Sequence, residues 1–536
     1  MEGQIFPISF KSGIKRDLPV MQNSYCTDGD WVRFFYGFPQ SMGGITYFRP
    51  NNENNFNIND NSCKIVNFEK NLLLLYKSVP LDANNSFLKI ADVNNNNVVF
   101  KNNVAELNFQ NLIITSIFPI KPNLCGVVAI QNNTNTVIRV VNTKNPLNNI
   151  IPGSEYTLNN NIITNVCVSQ NTMLFSIQNN IYWIFLEELN NSIKLDANKG
   201  MQRVFNNNGT YREDSGQKSI AFTNNIVKMT EIRGGSLKPT LVIWTTGSLE
   251  RITNIQDGTI DDGKIDIIFK YETVSNDISV IGDNQKAIIE HEGLFYWIGE
   301  QKFFWLNGVV LTLENNVSKQ YFFDNLNYQR LDLIYSFKNL KFNEICWAYP
   351  SKDSNICDRV ITYNIVDDTW YDTSFDSISG QNLYFIAKRK SKYNDAGDDV
   401  FKLCKLLNTE GGQLDLSEAA NNQYRKIKSF IRTPIYSFRL SNGLDKLLSI
   451  NRIEPNIYWN NVVGANEQDS SMYMTINKHV VIFQEQESTP QLNISFDNKL
   501  IDYFTQARYI SFTFVNEGKG FKMGQSLFTA TYGDSN

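Results

Sequence analysis

Gly293-Leu-Phe-Tyr-Trp-Ile-Gly299, Phe303-Phe-Trp-Leu-Asn-Gly-Val-Val310, Glu344-Ile-Cys-Trp-Ala-Tyr-Pro350, Arg359-Val-Ile-Thr-Tyr-Asn364 and Trp370-Tyr371 decide the fold class. Short aromatic and β-branched runs alternate here with polar turns, which is the pattern of antiparallel strands joined by tight loops. Glu300-Gln-Lys302 turns the first hairpin, and Asn307-Gly308 closes the next strand with residues suited to positive φ. Pro350-Ser-Lys-Asp-Ser-Asn355 joins a further strand pair. The segment reads as one or two four-stranded sheets, each a propeller blade.

The same theme recurs outward from this stretch. Paired apolar runs stand at Asn71–Tyr76 and Phe87–Ala91, Gly126–Ile130 and Val137–Val141, and Met173–Ile177 and Ile181–Leu186. They return at Leu241–Thr245 and Leu249–Thr253, then at Leu383–Lys388 and Val400–Leu406. A spacing of about 45 to 60 residues fits blades better than solenoid turns and predicts about six to eight of them. No Trp-Asp dipeptide ends the strands and no Ser-x-Asp-x-Gly-x-x-Trp box occurs. The expected architecture is all-β, with an N-terminal arm or strand unit over 1–50, a β-propeller over 51–410 and a β-sandwich-like region over 411–536. Strands of that last region are expected at Lys428–Pro434, Leu447–Ile453, Met472–Ile476, Val480–Phe483, Leu492–Phe496, Tyr509–Val515 and Leu527–Thr531. Helix is expected only at Ser318–Leu326 and Ser417–Lys426.

The totals bound the function. A chain of 536 residues exceeds one compact core, so roughly two to four domains are expected. Net charge is −4 with 19% charged residues, which gives no global basic field for wrapping nucleic acid. Apolar runs are too short for a membrane helix of about 20 residues, and Met1-Glu-Gly-Gln4 does not begin a secretion signal. The cysteines, Cys26, Cys63, Cys125, Cys167, Cys346, Cys357 and Cys404, are odd in number and scattered. They read as small core residues, with Cys346 and Cys357 flanking one turn where they could face each other. Only His291 and His479 are available, far apart, which speaks against a histidine zinc site or relay.

Chemical motifs are sparse. Asp257-Gly-Thr-Ile-Asp261-Asp262-Gly263 fails the calcium-loop spacing, because Asp262 stands where the glycine must be, and it reads as a solvated hairpin tip. Lys388-Arg389-Lys390-Ser-Lys392 is the dense basic cluster. With Asp261 and Asp262 it is the candidate for an intersubunit interface, against the plainer reading of exposed loops. Phosphate loops, nucleophile elbows and dinucleotide fingerprints are missing, so no cofactor and no catalytic residue is expected. Arg33, inside the strand-like Trp31-Val-Arg-Phe-Phe35, reads first as a salt-bridged strand residue and second as a contact to a neighbouring subunit.

Several of these residues together resemble a family of tailed-bacteriophage proteins, the tail nozzle (tail tubular protein B) and packaged-DNA stabilisation proteins. The opening Gly29-Asp-Trp31-Val-Arg33-Phe34, with Gly37-Phe-Pro39 and Gly43-Gly44, is similar to a common start in that family. Ile243-Trp244-Thr-Thr-Gly-Ser-Leu249 resembles a strand pair of that family, and the stretch from Trp297 and Gly299 through Gly308, Glu344, Trp347, Tyr349 and Pro350 to Trp370 carries the strongest resemblance. Gly520-Phe521-Lys-Met-Gly524 resembles the closing strand pair, with Phe521 where a Trp is usual. The resemblance implies a non-enzymatic virion protein, made in the host cytoplasm. It implies a homo-oligomeric ring, commonly sixfold, below portal and adaptor, with fibre or needle proteins beneath. Such a ring continues the DNA channel, lets DNA pass non-specifically and retains the genome until ejection. A mildly acidic wall would suit that passage by repelling phosphate. The alternative is a receptor- or glycan-binding propeller at the tail tip.

Overall fold

A computed structural model describes residues 3–17, 24–42, 45–47, 49–50, 63–69, 72–78, 85–94, 97–100, 107–110, 112–121, 123–143, 156–158, 160–169, 172–177, 179–185, 187–189, 192–194, 215–219, 225–232, 240–255, 268–374, 383–385, 402–406, 428–437, 447–460, 471–481, 484–495, 500–517 and 520–532.

Four consecutive sheets of four antiparallel strands each run in chain order. The first comprises Asn165–Ser169, Thr172–Ile177, Asn180–Phe185 and Ser215–Ser219. The second comprises Ile226–Ile232, Thr240–Thr245, Leu249–Ile255 and Ile268–Ser275. Ile288–His291, Leu294–Ile298, Phe303–Asn307 and Val309–Leu313 form the third; Tyr335–Asn339, Glu344–Tyr349, Arg359–Asn364 and Thr369–Ser374 form the fourth. Inner strands such as Thr240–Thr245 and Glu344–Tyr349 are buried at every position. A neighbouring sheet covers each of their faces, which is why they read as continuous apolar runs instead of alternating ones. The outermost strand of the third sheet, Val309–Leu313, is largely exposed.

Each sheet packs face to face on the next. Leu174 and Ile181 meet Met229, Leu241 and Ile243. Val242 and Trp244 meet Phe295 and Trp297. Tyr296, Ile298 and Phe303 meet Trp347, Ile361 and Trp370. Stacked four-stranded meanders in sequence order are the blades of a β-propeller, and the chain is a β-propeller protein. Tryptophan indoles tie the stack together. Trp347 Nε1 donates to Ala287 O at 2.9 Å and Trp370 Nε1 to Glu314 O at 2.8 Å, each reaching back towards the preceding blade.

Six of the seven expected strand pairs form as antiparallel hairpins, but the first two do not head blades of their own. Leu72–Ser78 with Asn85–Asn94, and Leu124–Gln131 with Asn135–Asn142, belong to one ten-stranded sheet. Phe118, Val128 and Ile138 of that sheet pack on the first blade. The seventh pair is corrected: Leu383–Phe385 and Lys402–Leu406 run parallel, and the second of these strands also pairs antiparallel with Ile45–Tyr47. A parallel pair needs a crossover and cannot be a hairpin, so apolar spacing misled there. The expected helix near Ser318 is a six-residue turn of helix, Lys319–Asp324. Ser417–Lys426 lies outside the described residues. Among the described residues no helix is long and apolar enough to cross a membrane.

The C-terminal region is a sandwich, and the first strands of the chain are built into it. One sheet orders Gln4–Ile8, Ser526–Tyr532, Leu448–Glu454 and Ile501–Ala507; the other centres on Lys428–Arg432, Tyr509–Glu517 and Ser471–Val481 with Asp28–Asp30 at one edge. Leu448, Ile450 and Phe528 from the first face Met474, Phe512 and Phe514 from the second, and the Phe512 and Phe528 rings lie 5.4 Å apart. Of the expected strand Val480–Phe483, Val480 and Val481 end the long strand Ser471–Val481, and residues 482–483 lie outside the described residues. Ile501–Ala507 is a strand beyond those expected; its exposed face carries Asp502, Phe504 and Gln506, and its buried face mixes Thr505 with Ile501 and Ala507, so no clean apolar alternation marks it.

Phe303 touches the rings of Phe322, Phe323, Trp347 and Trp370 at centroid distances of 4.5–5.9 Å. Replacing it with Ala should remove about 3–5 kcal/mol from unfolding of this blade pair, read as a lowered denaturant midpoint in tryptophan fluorescence. A shift below about 1 kcal/mol would show that this ring cluster does not hold the two blades together.

Candidate functional site: a buried ion-pair joint between the opening strands and the fourth blade

The residues singled out in the opening strand and in the fourth blade meet. Arg33 is completely buried on the strand Val32–Phe35. Its Nε donates to Glu344 Oε1 at 2.8 Å, and Nη2 reaches Oε2 at 3.5 Å. Glu344, also buried, accepts from Asn339 Nδ2 at 2.8 Å and from the Tyr371 hydroxyl. The guanidinium lies 3.8 Å from the centre of the Phe342 ring. Burial first, then the Glu344 charge, holds the Tyr371 hydroxyl well above its ordinary pKa, so it stays a donor. Asn364 Nδ2 donates to Phe34 O at 2.9 Å and extends the contact along the strand. Arg33 is therefore the salt-bridged strand residue of its first reading. Its enclosure within this chain leaves no face for a neighbouring subunit.

A second cluster sits beside the first. Asp372, on the blade's outermost strand, is approached by Arg16 Nε at 2.8 Å and by Arg359 Nε at 3.0 Å. Arg359 Nη2 also contacts it. Arg16 further donates to Gly29 O at 2.7 Å, lies 3.3 Å from Asp28 Oδ1, and stacks over Tyr321 at 5.0 Å. Burial is the largest single effect and works against the charge on both arginines, but Asp372 together with Asp28 and Tyr321 for Arg16, and with Tyr349 and Tyr321 for Arg359, outweighs it and their pKa values rise. The Tyr349 hydroxyl accepts from Arg359 at 3.2 Å and is itself pushed up, by burial first and then by Asp372. Asp17 accepts from the amides of Tyr321 at 2.8 Å and Gln320 at 3.2 Å. It caps a helix whose own Ser318 makes no capping bond. Asp30 Oδ1 accepts from Ser374 N at 2.9 Å and from Trp31 N at 3.0 Å.

The other motif residues are packing and turn residues. Trp244 lies on Phe295 and Trp297 at 5.1 and 5.9 Å, and Trp297 Nε1 donates to Ser279 O at 3.2 Å. Trp31 is buried with φ +55°, and its carbonyl accepts from Met42 N at 2.8 Å. Gly37, at φ +80°, completes a hairpin turn with Tyr36 at +50°, and Gly308 turns the next hairpin at +74°. A Cβ on Gly299 would come within 2.5 Å of Phe304, and one on Gly524 within 2.7 Å of Asn456. The Pro350 carbonyl accepts from Asn327 N at 3.1 Å. Cys346 and Cys357 do not bridge: Cys346 accepts weakly from Thr362 at 3.6 Å and Cys357 donates to Leu333 O at 3.2 Å. Gly44, Asp261, Asp262, Lys388, Arg389, Lys390 and Lys392 lie outside the described residues. Arg16, Arg359 and Asp372 were missed as site residues. The signal for them is a charged residue inside an otherwise uncharged strand, as in Thr369-Trp-Tyr-Asp372-Thr-Ser374. Among the described residues no group of three or more His, Cys, Asp or Glu could hold a metal ion.

No family model matches the chain, and no curated protein does. Among solved structures it is similar to the WD40 domain of SCAP from fission yeast, at 8% identity and TM-score 0.32 over 97% of this chain and 94% of that one. It is also similar to the WD40 domain of Toxoplasma gondii coronin, at 8% and 0.31 over 65% and 77%. A prolyl endopeptidase aligns at 8% and 0.31 over 73% of this chain and 46% of that one. Likeness at these scores carries no functional argument; the class, a β-propeller protein, rests on the stacked sheets themselves.

Truncating one partner of a buried pair strands the other as an uncompensated charge. Arg33→Met should therefore destabilise by about 3–5 kcal/mol, while Arg33→Met combined with Glu344→Leu should recover part of that loss. Chemical unfolding of the single and double variants checks this. Simple additivity of the two losses would mean the side chains are not coupled.

Proposed function

We propose that this chain is a structural, non-enzymatic subunit of a tailed-bacteriophage virion, a tail-nozzle propeller that assembles into a ring, commonly sixfold. In that role it contacts adaptor and portal proteins above and fibre or needle proteins below, continues the DNA channel and retains the genome until ejection. One observation carries this reading. The opening motif around Arg33 and the fourth-blade motif around Glu344, which bear the resemblance to nozzle proteins, join through a fully buried ion pair. The motif residues are joints and turns of a scaffold, and function by rigidity and assembly is what such residues serve. Stacked blades tied by indole hydrogen bonds give the stiffness a ring subunit needs.

The test is assembly. Light scattering and negative-stain microscopy of the protein, alone and mixed with its adaptor, should show closed rings, and labelled antibody should mark the tail of intact virions. A protein that stays monomeric and instead binds host cells or glycans in isolation would be a tail-tip receptor binder. Hydrolysis of polysaccharide by the pure protein would make it an enzyme and overturn both.

A further inference from the structure

Each of the four blades ends in an outermost strand, and three of these strands are guarded. Thr369–Ser374 lies against the opening strands: Ser374 N donates to Asp30, and Arg16 reaches Asp372. Ile268–Ser275 carries Lys270 and Glu272, and Ser215–Ser219 carries Lys218. Charges and covers of this kind keep a sheet edge from recruiting another strand. Val309–Leu313, which closes the third blade, has neither. Its five residues, Val-Val-Leu-Thr-Leu, are uncharged, and Val309 and Leu311 are 58% and 42% exposed. Among the described residues it pairs on one side only, with Phe303–Asn307. In an antiparallel pair every second residue turns its amide and carbonyl away from the neighbouring strand. The other side of Val309–Leu313 is therefore a row of backbone donors and acceptors facing outward.

We propose that this edge pairs with the same edge of a second copy of the chain, antiparallel about a twofold axis through Leu311, and so joins two third blades into one continuous sheet. The strand complements itself in that register. Leu311 meets Leu311, Val309 meets Leu313 and Val310 meets Thr312. Every cross-strand contact then sets apolar on apolar or β-branched on β-branched side chains, and no like charges face each other. Glu314 falls opposite Gly308, so its carboxylate meets no other carboxylate. A Cβ on Gly308 would find nothing within 4 Å, which leaves that end of the edge clear for an approaching strand. The added affinity is main-chain hydrogen bonding, as in other cases of strand addition. A lasting interface buries about 1,000 Å² or more. A pair of five-residue strands is smaller, so the contact is reversible and forms at high protein concentration. It does not require the ring proposed above: closed rings made through other faces would remain when this pairing is removed.

Hydrogen exchange of the full chain at increasing protein concentration, followed on peptides covering Val309–Leu313, tests the pairing. In the wild type, the amides on the free edge should gain about tenfold protection from low to high micromolar protein. Leu311→Lys and Leu311→Glu each set like charges face to face at the axis, so either variant alone should lose that gain. An equimolar mixture of the two sets Lys against Glu and should restore it. Leu311 is partly exposed, so both variants should keep the wild-type unfolding midpoint. Wild-type protection that does not change with concentration overturns the proposal. So does a gain that survives in the single variants or that the mixture fails to restore, because either result assigns this edge a different partner.

Discussion

Arg33 closed on Glu344 is the contact on which the arrangement of the whole chain depends. The two side chains come from positions 311 residues apart, and neither is exposed to water. Two ions that deep are tolerable only if every neighbour cooperates. Here Asn339 and Tyr371 supply further hydrogen bonds to the carboxylate, and Phe342 gives the guanidinium a ring face. The pair works as a register device. A strand slipped by one residue would turn Arg33 to the opposite face of its sheet and leave both charges stranded.

That constraint explains why the ends of the chain are not independent of its middle. The opening strands pair with the C-terminal sandwich through Gln4–Ile8 and Asp28–Asp30, and touch the fourth blade through Arg16, Asp30 and Arg33. Tyr371, a blade residue, lies in the same apolar cluster as Phe512 and Phe528 of the sandwich. The first residues are thus the seam between propeller and sandwich. Asp17 reaches across it to cap the helix that follows the third blade.

The aromatic content does the corresponding work within the propeller. Blades of four strands leave wedge-shaped gaps where their faces meet, and large flat side chains fill such gaps with few rotatable bonds. Trp244, Trp297, Trp347 and Trp370 are all buried at these faces. Their indoles keep hydrogen-bond partners in the cases of Trp297, Trp347 and Trp370. Fixed aromatic plates bonded to the backbone of another segment make each blade interface directional as well as apolar.

The amino-acid sequence by itself determined the elements: blade hairpins at 241–253, 294–307 and 345–365, their turns at Glu300–Lys302 and Asn307–Gly308, and the strands of the C-terminal region. These are local facts, set by alternation, aromatic runs and residues that tolerate positive φ. It also marked Arg33 as paired, since a lone arginine in an apolar strand must be neutralised. Only the tertiary structure decided which partner Arg33 takes, that Asp372 gathers Arg16 and Arg359, that Lys402–Leu406 pairs in parallel with Leu383–Phe385, and that the first strands complete the sandwich. The physical reason is range. Hairpins join neighbours in the chain and leave a pattern in it, whereas an ion pair spanning 311 residues is specified by the packing of every sheet between its ends.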